Sequence, residues 1–261
     1  MKKTVQHSII ILVLLFLYLP IVILTFYSFT SSTMIGSVRG FSLDNYVTLF
    51  TEEELLSMMG GTLILAMGVA LLSTLLGTLG ALGAHYSHKN LRNALELANE
   101  IPVVNADVVT GFSICIFTIV LLHMDKESYV PLVIAQTALC TPFVYLSVLP
   151  RIKQMDQSLY EAAMDLGCSG SQAIRKAVLP QIKPGIVSGF MTAVTLSLDD
   201  YFIASYTKPA TFDTISTYVV NATRGSQTYI KTALWALSAV IFVIVCLVAV
   251  IGNLLTGREE A

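Results

Sequence analysis

RIKQMDQSLYEAAMDLGCSGSQAIRKAVLPQIKP, residues Arg151 to Pro184, is the longest polar interval between two apolar spans in this chain. Leu159, Ala162, Ala163 and Leu166 recur at i, i+3, i+4 and i+7, so the segment after Asp156, a suitable N-cap, predicts a short helix with one apolar face. Gly167 follows the last periodic residue, the usual place for a left-handed helix stop. Ser169 or Ser171 can cap a second short helix that carries Ile174, Ala177 and Val178 on one side, and Pro180 and Pro184 are expected to close the unit. The spacing predicts two short amphipathic helices joined by a glycine elbow, a knob presented by the membrane to something in the cytosol.

The rest of the composition agrees with a membrane setting. Of 261 residues, 55% are hydrophobic and 12% charged, with a mean hydropathy of +0.74; soluble domains carry about 25% charge. The net charge of −2 carries no message about nucleic acid, and no basic stripe interleaved with aromatics appears. Cys115, Cys140 and Cys246 lie in apolar spans and Cys168 in the elbow, in neither a metal-ligand nor a disulfide pattern. His85 and His88 have no Cys, Asp or Glu at ligand spacing, so no metal site is expected.

Apolar runs predict an all-α membrane protein with six transmembrane helices, at about residues 9–29, 61–84, 103–124, 129–149, 185–206 and 232–255, in one domain of residues 1–261 with the polar loop at 150–184. The first run is too long for the apolar part of a signal peptide, and Pro20 is expected to kink it. Ala66, Ala70, Ser73, Gly77, Gly80 and Ala84 lay a stripe of small residues along the second span, a face that should meet another helix. His85, His88, Lys89 and Arg92 read as a cytosolic turn. Asp107 falls near the inner end of the third span, where it either reaches the headgroups or lines an inner gate. With both termini inside, ten Lys and Arg are cytosolic and five, Arg39, Lys126, Lys208, Arg224 and Lys231, are outside, the sense that the positive-inside rule selects.

Glu161-Ala162-Ala163, three residues, Gly167, then Leu179-Pro180 resembles the EAA loop of ABC-transporter permease subunits, with Ala177 where the family usually has isoleucine. Ser42-Leu43-Asp44-Asn45-Tyr46 resembles the segment ahead of the permease core, and Ile101 to Gly111 a family stretch in which Asn105 replaces a common second proline. The resemblance implies a type I ABC importer permease (MetI-like) of a bacterial plasma membrane. It also implies a second homologous permease, a cytosolic ATP-binding subunit dimer and an external solute-binding protein as partners. Glu161, Ala162, Ala163, Gly167, Leu179 and Pro180 would then couple the chain to the ATPase. The chain holds no G-x-x-x-x-G-K-[ST] stretch, so no cofactor is expected in it and ATP would be hydrolysed by a partner.

Carboxylates inside a span are costly, by about 2.5 to 3.5 kcal/mol on insertion scales, and point to function. Asp199 and Asp200 are adjacent in the fifth span, expected in its outer half. At about 100° per residue Asp199 continues the strip of Ser188, Thr192 and Thr195, while Asp200 falls with Gly189 and Ala193. The first can line a passage; the second points at a close neighbour, where a Tyr, a Ser or a partner's basic group would meet it. Ser197 to Ala204 resembles the fifth span of the C-type permease of spermidine/putrescine transporters, which implies a polyamine path with Tyr201 and Tyr206 as aromatic faces for ammonium groups.

Three alternatives stand beside this reading. The two acids could only hold subunits together, or the solute could be another one, such as ferric ion, thiamine or an organic amine. An intramembrane aspartyl protease is a reading of a different class, and it needs two carboxylates on facing helices. Asp199 and Asp200 share one helix, and pairing either with Asp107 would join opposite ends of the bilayer. The expected role is therefore transport without chemistry of its own.

Overall fold

The computed structural model describes residues 2–30, 40–156, 158–224 and 228–257. Arg39 and the residues after Gly257, used in the topology reading, lie outside them. The described residues are helical, joined by turns and one isolated bridge between Thr30 and Phe41. Contacts divide the chain into two units, Met1–Met58 with Tyr218–Leu247, and Met59–Thr217 with Val248–Ala261.

In the first unit α1 (Lys2–Ser28) runs uninterrupted through Pro20, and its apolar surface is almost wholly uncovered by the chain itself. A short α2 (Asp44–Thr51) clasps its end. Asn45, 6% exposed, donates from Nδ2 to the carbonyls of Ser28 and Thr30 at 3.0 Å each, and the Tyr46 hydroxyl lies 2.8 Å from Ser28 Oγ. Asn45 thus takes up carbonyls left open at the end of the helix, and Tyr46 adds a bond to a Ser28 hydroxyl that also donates to Thr25 O.

The second unit is built around one helix. After α3 (Glu53–Tyr86) come α4 (Lys89–Val104), α5 (Asp107–Ile116) with a wide π turn at Phe117–Leu121, and α6 (Val130–Gln154). At about 1.5 Å per residue α3 is about 51 Å long, well beyond a hydrocarbon core of about 30 Å. The predicted small-residue stripe is the face it turns to α6. Ala66, Ala70, Ser73 and Ala84 are fully buried, Ser73 Oγ donates to Thr137 O at 3.4 Å, and Gly80 lies against the Tyr145 ring. At Gly77 the approach is closest, for a Cβ there would stand 2.8 Å from Val144 Cβ and 2.9 Å from Thr141 O. Gly77→Leu is therefore expected to force the two helices apart at a cost of about 1–3 kcal/mol. A clear fall in the thermal midpoint of the detergent-solubilised chain checks this; an unchanged midpoint would rule out so close a contact.

The turn expected after His85 is a helix. Only Ser87 and His88 separate α3 from α4, an amphipathic helix that packs on α6, with Arg92 and Lys153 both paired to Glu96. Nor is the third span straight: α4 and α5 meet at 109° across Asn105 and Ala106. Extended backbone at both residues makes the break without the second proline.

Then follow α7 (Ser158–Asp165), α8 (Gly170–Ala173) leading through a π turn at Ile174–Val178 into α9 (Leu179–Asp199), α10 (Phe202–Thr207), α11 (Ile215–Arg224) and α12 (Thr228–Gly257). Two corrections arise here. Pro180 and Pro184 do not close the knob, because right-handed helical backbone continues from Gly170 to Asp199, and the widened turn just ahead of Pro180 takes up the clash of its ring with the carbonyl four residues back. The fifth span, expected to run on to Tyr206, breaks at Asp200, and the interval after it carries α11.

By length and composition Ile9–Ser28, Glu53–Tyr86 and Val130–Gln154 can cross a membrane, and the bent pair of α4 and α5 makes a fourth candidate. The other two expected spans fall on α9 with α10 and on α12, in which Ala233–Val248 is the apolar stretch among the described residues.

Candidate functional site

Two places carry the predicted residues. The first is the knob. Asp156 Oδ1 accepts the Ser158 N–H at 2.9 Å, which opens α7 and holds this exposed carboxyl below the usual carboxylate range. At the other end the Gly167 N–H reaches Met164 O at 2.9 Å and the Cys168 N–H reaches Ala163 O at 3.1 Å, the paired bonds of a Schellman stop. Gly167 has φ +87°, the left-handed region that glycine enters without strain. Ser169 then caps α8, its N–H donating to Gln172 Oε1 at 3.0 Å in a capping box.

Glu161 and Ala162 are exposed and Ala163 half-buried. The predicted apolar face of α7 is turned outward, with Leu159 38% and Leu166 86% exposed. What ties α7 down is Tyr160, whose ring lies 5.2 Å from that of Tyr86 and whose hydroxyl sits beside Gly170. Leu179 is half-buried and Pro180 exposed at the start of α9. Sequence reasoning passed over Tyr160; its signal was the one aromatic residue in a helix otherwise made of small, acidic and aliphatic side chains.

The second place is the break between α9 and α10. Gly189 and Ala193 pack against α6, Gly189 so closely that a Cβ would meet Val144 Cγ1 at 3.0 Å, and Asp200 follows on the same face, 8% exposed. Its partners are not the Tyr, Ser or basic group expected. Gln136 Nε2 of α6 donates to Asp200 Oδ2 at 3.0 Å, and the N–H groups of Ile203 and Ala204 donate to Oδ1 and Oδ2, each at 3.0 Å. The carboxylate thus takes the donors that open α10, while its own backbone, at ψ 114°, ends α9. Gln136 is fully buried and its Oε1 accepts the Ser197 hydroxyl at 2.7 Å. It was missed in the sequence, though a lone carboxamide in the fourth span marked it.

Asp199, the last residue of α9, is exposed and turned away from this core, as is Ser188, with Thr192 and Thr195 half-buried between them. Thr192 Oγ1 donates to Ser188 O at 3.0 Å and Thr195 Oγ1 to Thr192 O at 2.8 Å. Both hydroxyl protons are therefore spent within the helix, and the oxygens offer lone pairs outward. Tyr201 is half-buried with its ring 5.2 Å from Phe202, and Tyr206 sits apart, edge-on to Phe112 of α5.

One expectation about Asp107 is overturned. Gly111 of α5 lies against Ile203, and Cys115 Sγ is 3.2 Å from Tyr206 O, so α5 and α10 run side by side in the same direction. Asp107, one turn before Gly111, is level with the helix break and within electrostatic reach of Asp200. The cause is α4: it carries the chain part of the way along α6, with Asn99 Nδ2 3.5 Å from Pro142 O, before α5 begins. Among the described residues no three His, Cys, Asp or Glu side chains gather as a metal site.

The model of the family described as binding-protein-dependent transport system inner membrane component matches residues 1–258. The putrescine transport system permease protein PotI of Escherichia coli strain K12 is 30% identical over 94% of this chain and 88% of its own length. The spermidine/putrescine transport system permease protein PotC of Haemophilus influenzae is 26% identical over 98% and 97%. Among solved structures, a bacterial ABC transporter involved in the import of the acidic polysaccharide alginate superposes with a TM-score of 0.76 at 20% identity, covering 98% of this chain and 95% of that one. An amino acid ABC transporter with histidines gives 0.58 at 19%, over 83% and 96%.

Proposed function

Because the chain belongs to the family of binding-protein-dependent transport system inner membrane components, we propose that it is the permease subunit of an ATP-driven importer of polyamines such as spermidine and putrescine. It is a transport component and not an enzyme, a multi-pass protein of the inner membrane. Its partners are a solute-binding protein and an ATPase. In the proposed assembly it stands beside a second, homologous permease, with an ATPase dimer on the cytosolic side. Six spans put both termini there, the sense supported by the ten basic residues against five.

The observation that carries the substrate reading is the outward strip ending at Asp199. A polyamine is a chain of ammonium groups, each a donor that wants acceptor oxygens and negative charge. Thr192 and Thr195 offer oxygens whose protons are already committed, and Asp199 supplies the charge at the end of the row. The uncovered Leu159 on α7 and Leu166 just after it, with exposed Glu161 and Ala162 beside them, suit a face that an ATPase covers.

Asp199→Asn keeps the shape and removes the charge. Losing an attraction of about one to two kcal/mol should slow uptake of labelled spermidine or putrescine into vesicles by roughly five- to thirty-fold. Undiminished uptake by this variant in an assembled complex would remove the polyamine path from Asp199.

A further inference from the structure

Asp199 stands on the polar strip by helical geometry, but it is also the last residue of α9, and no helix-breaking residue type in its own stretch ends the helix there. Neither glycine nor proline occurs between Thr195 and Lys208, and the chain on both sides of Asp200 is helical. The break is held from α6. Gln136 accepts from Ser197, one turn before the break, and donates to Asp200 at the break, so a single fully buried amide spans the last turn of α9. Asp200 in turn takes the N–H groups of Ile203 and Ala204. In a continued helix those two donors would go to the carbonyls of Asp199 and Asp200.

We infer that Gln136 is a positioning residue for the solute path: through Ser197 and Asp200 it fixes where α9 ends and hence where Asp199 and Tyr201 are presented. It does not touch the solute, being buried on the opposite face of α9 from the Ser188 to Asp199 strip. Burying a carboxamide in an apolar span is costly unless its hydrogen bonds are met, and here both ends of the amide are met across the helix pair. This rests on the reading of Asp199 as part of the path.

The test separates the two. In the assembled complex in membrane vesicles, with the native cysteines replaced, Asp199→Cys is introduced and its rate of modification by a charged, water-soluble thiol reagent is measured. Gln136→Met, similar in length and without hydrogen bonds, is expected to change that rate by tenfold or more. Ser197→Ala, which removes one bond and leaves the other, should change it two- to fivefold. With Asp199 restored, Gln136→Met should raise the KM for polyamine uptake five- to tenfold and leave the maximal rate within twofold.

An unchanged modification rate in both variants overturns the positioning role, whatever the solute. A KM that holds while the maximal rate and the yield of complex fall together overturns it too, since that is the mark of a merely structural residue. An altered modification rate alongside unimpaired polyamine uptake by Asp199→Asn sustains the positioning role and instead sinks the polyamine reading.

Discussion

Asp200→Asn is expected to lower the yield of assembled transporter several-fold before any defect in solute passage can be read. The carboxylate accepts from Gln136 and from the N–H groups of Ile203 and Ala204, and two of these three bonds converge on Oδ2. An asparagine keeps one acceptor oxygen and turns an NH2 toward the donors on the other side. Leaving one or two buried donors unmet costs about 1–3 kcal/mol each, a large fraction of the stability of an ordinary domain. Size-exclusion yield and thermal midpoint of the complex with its ATPase are the measurements. A complex assembled at wild-type yield and midpoint that nevertheless fails in polyamine uptake would mean that Asp200 belongs to the passage and not to the packing.

Gly167→Val should abolish most uptake, tenfold or more, while the chain still inserts and is found in the membrane at normal levels. At φ +87° a β-branched side chain is strained by about 1–3 kcal/mol, so the Schellman bonds from Gly167 and Cys168 give way and α7 leaves its angle to α8. The surface presented by Leu159, Ala162 and Leu166 then no longer fits one partner. Gly167→Asn, which tolerates the left-handed region better, should keep an intermediate activity. Wild-type rates of solute-stimulated ATPase activity and uptake in the valine variant would remove the elbow from the coupling path.

Much of this was readable from residue spacing. The elbow at Gly167, the cap at Ser169 and the close face of α3 each depend on local chemistry: a positive φ, a side chain that bonds its own backbone, a row of residues without bulk. The two strips of α9 also followed from helical geometry alone. The misreadings have a common cause, which is that span boundaries were drawn by polarity. Pro180 and Pro184 looked like stops, yet a widened turn lets the helix pass them. Asp200 looked like a mid-helix residue, yet a glutamine sixty-four positions earlier supplies the partner that makes it a break. Asp107 was set at the far end of the bilayer because α4 was taken for a turn. In the last two cases the deciding contact is between residues distant in sequence, and no periodicity within one segment can reveal it.

The continuity of helix from Gly170 to Asp199 makes the knob and the acid two ends of one lever. Gly185, where a Cβ would stand 2.8 Å from Arg151 Cγ and 3.0 Å from Ser147 O, is its closest approach to α6 and a natural fulcrum. From there the arm toward Gly170 is about 22 Å long and the arm toward Asp199 about 21 Å, at about 1.5 Å per residue. A tilt of about 10° would then move either end by about 4 Å, a little more than the length of a hydrogen bond. Such a lever reverses the direction of a stroke and keeps its length. In the proposed assembly a movement of the ATPase at the knob would return at the carboxylate with nearly the same travel, on the scale that separates a held ammonium group from a released one.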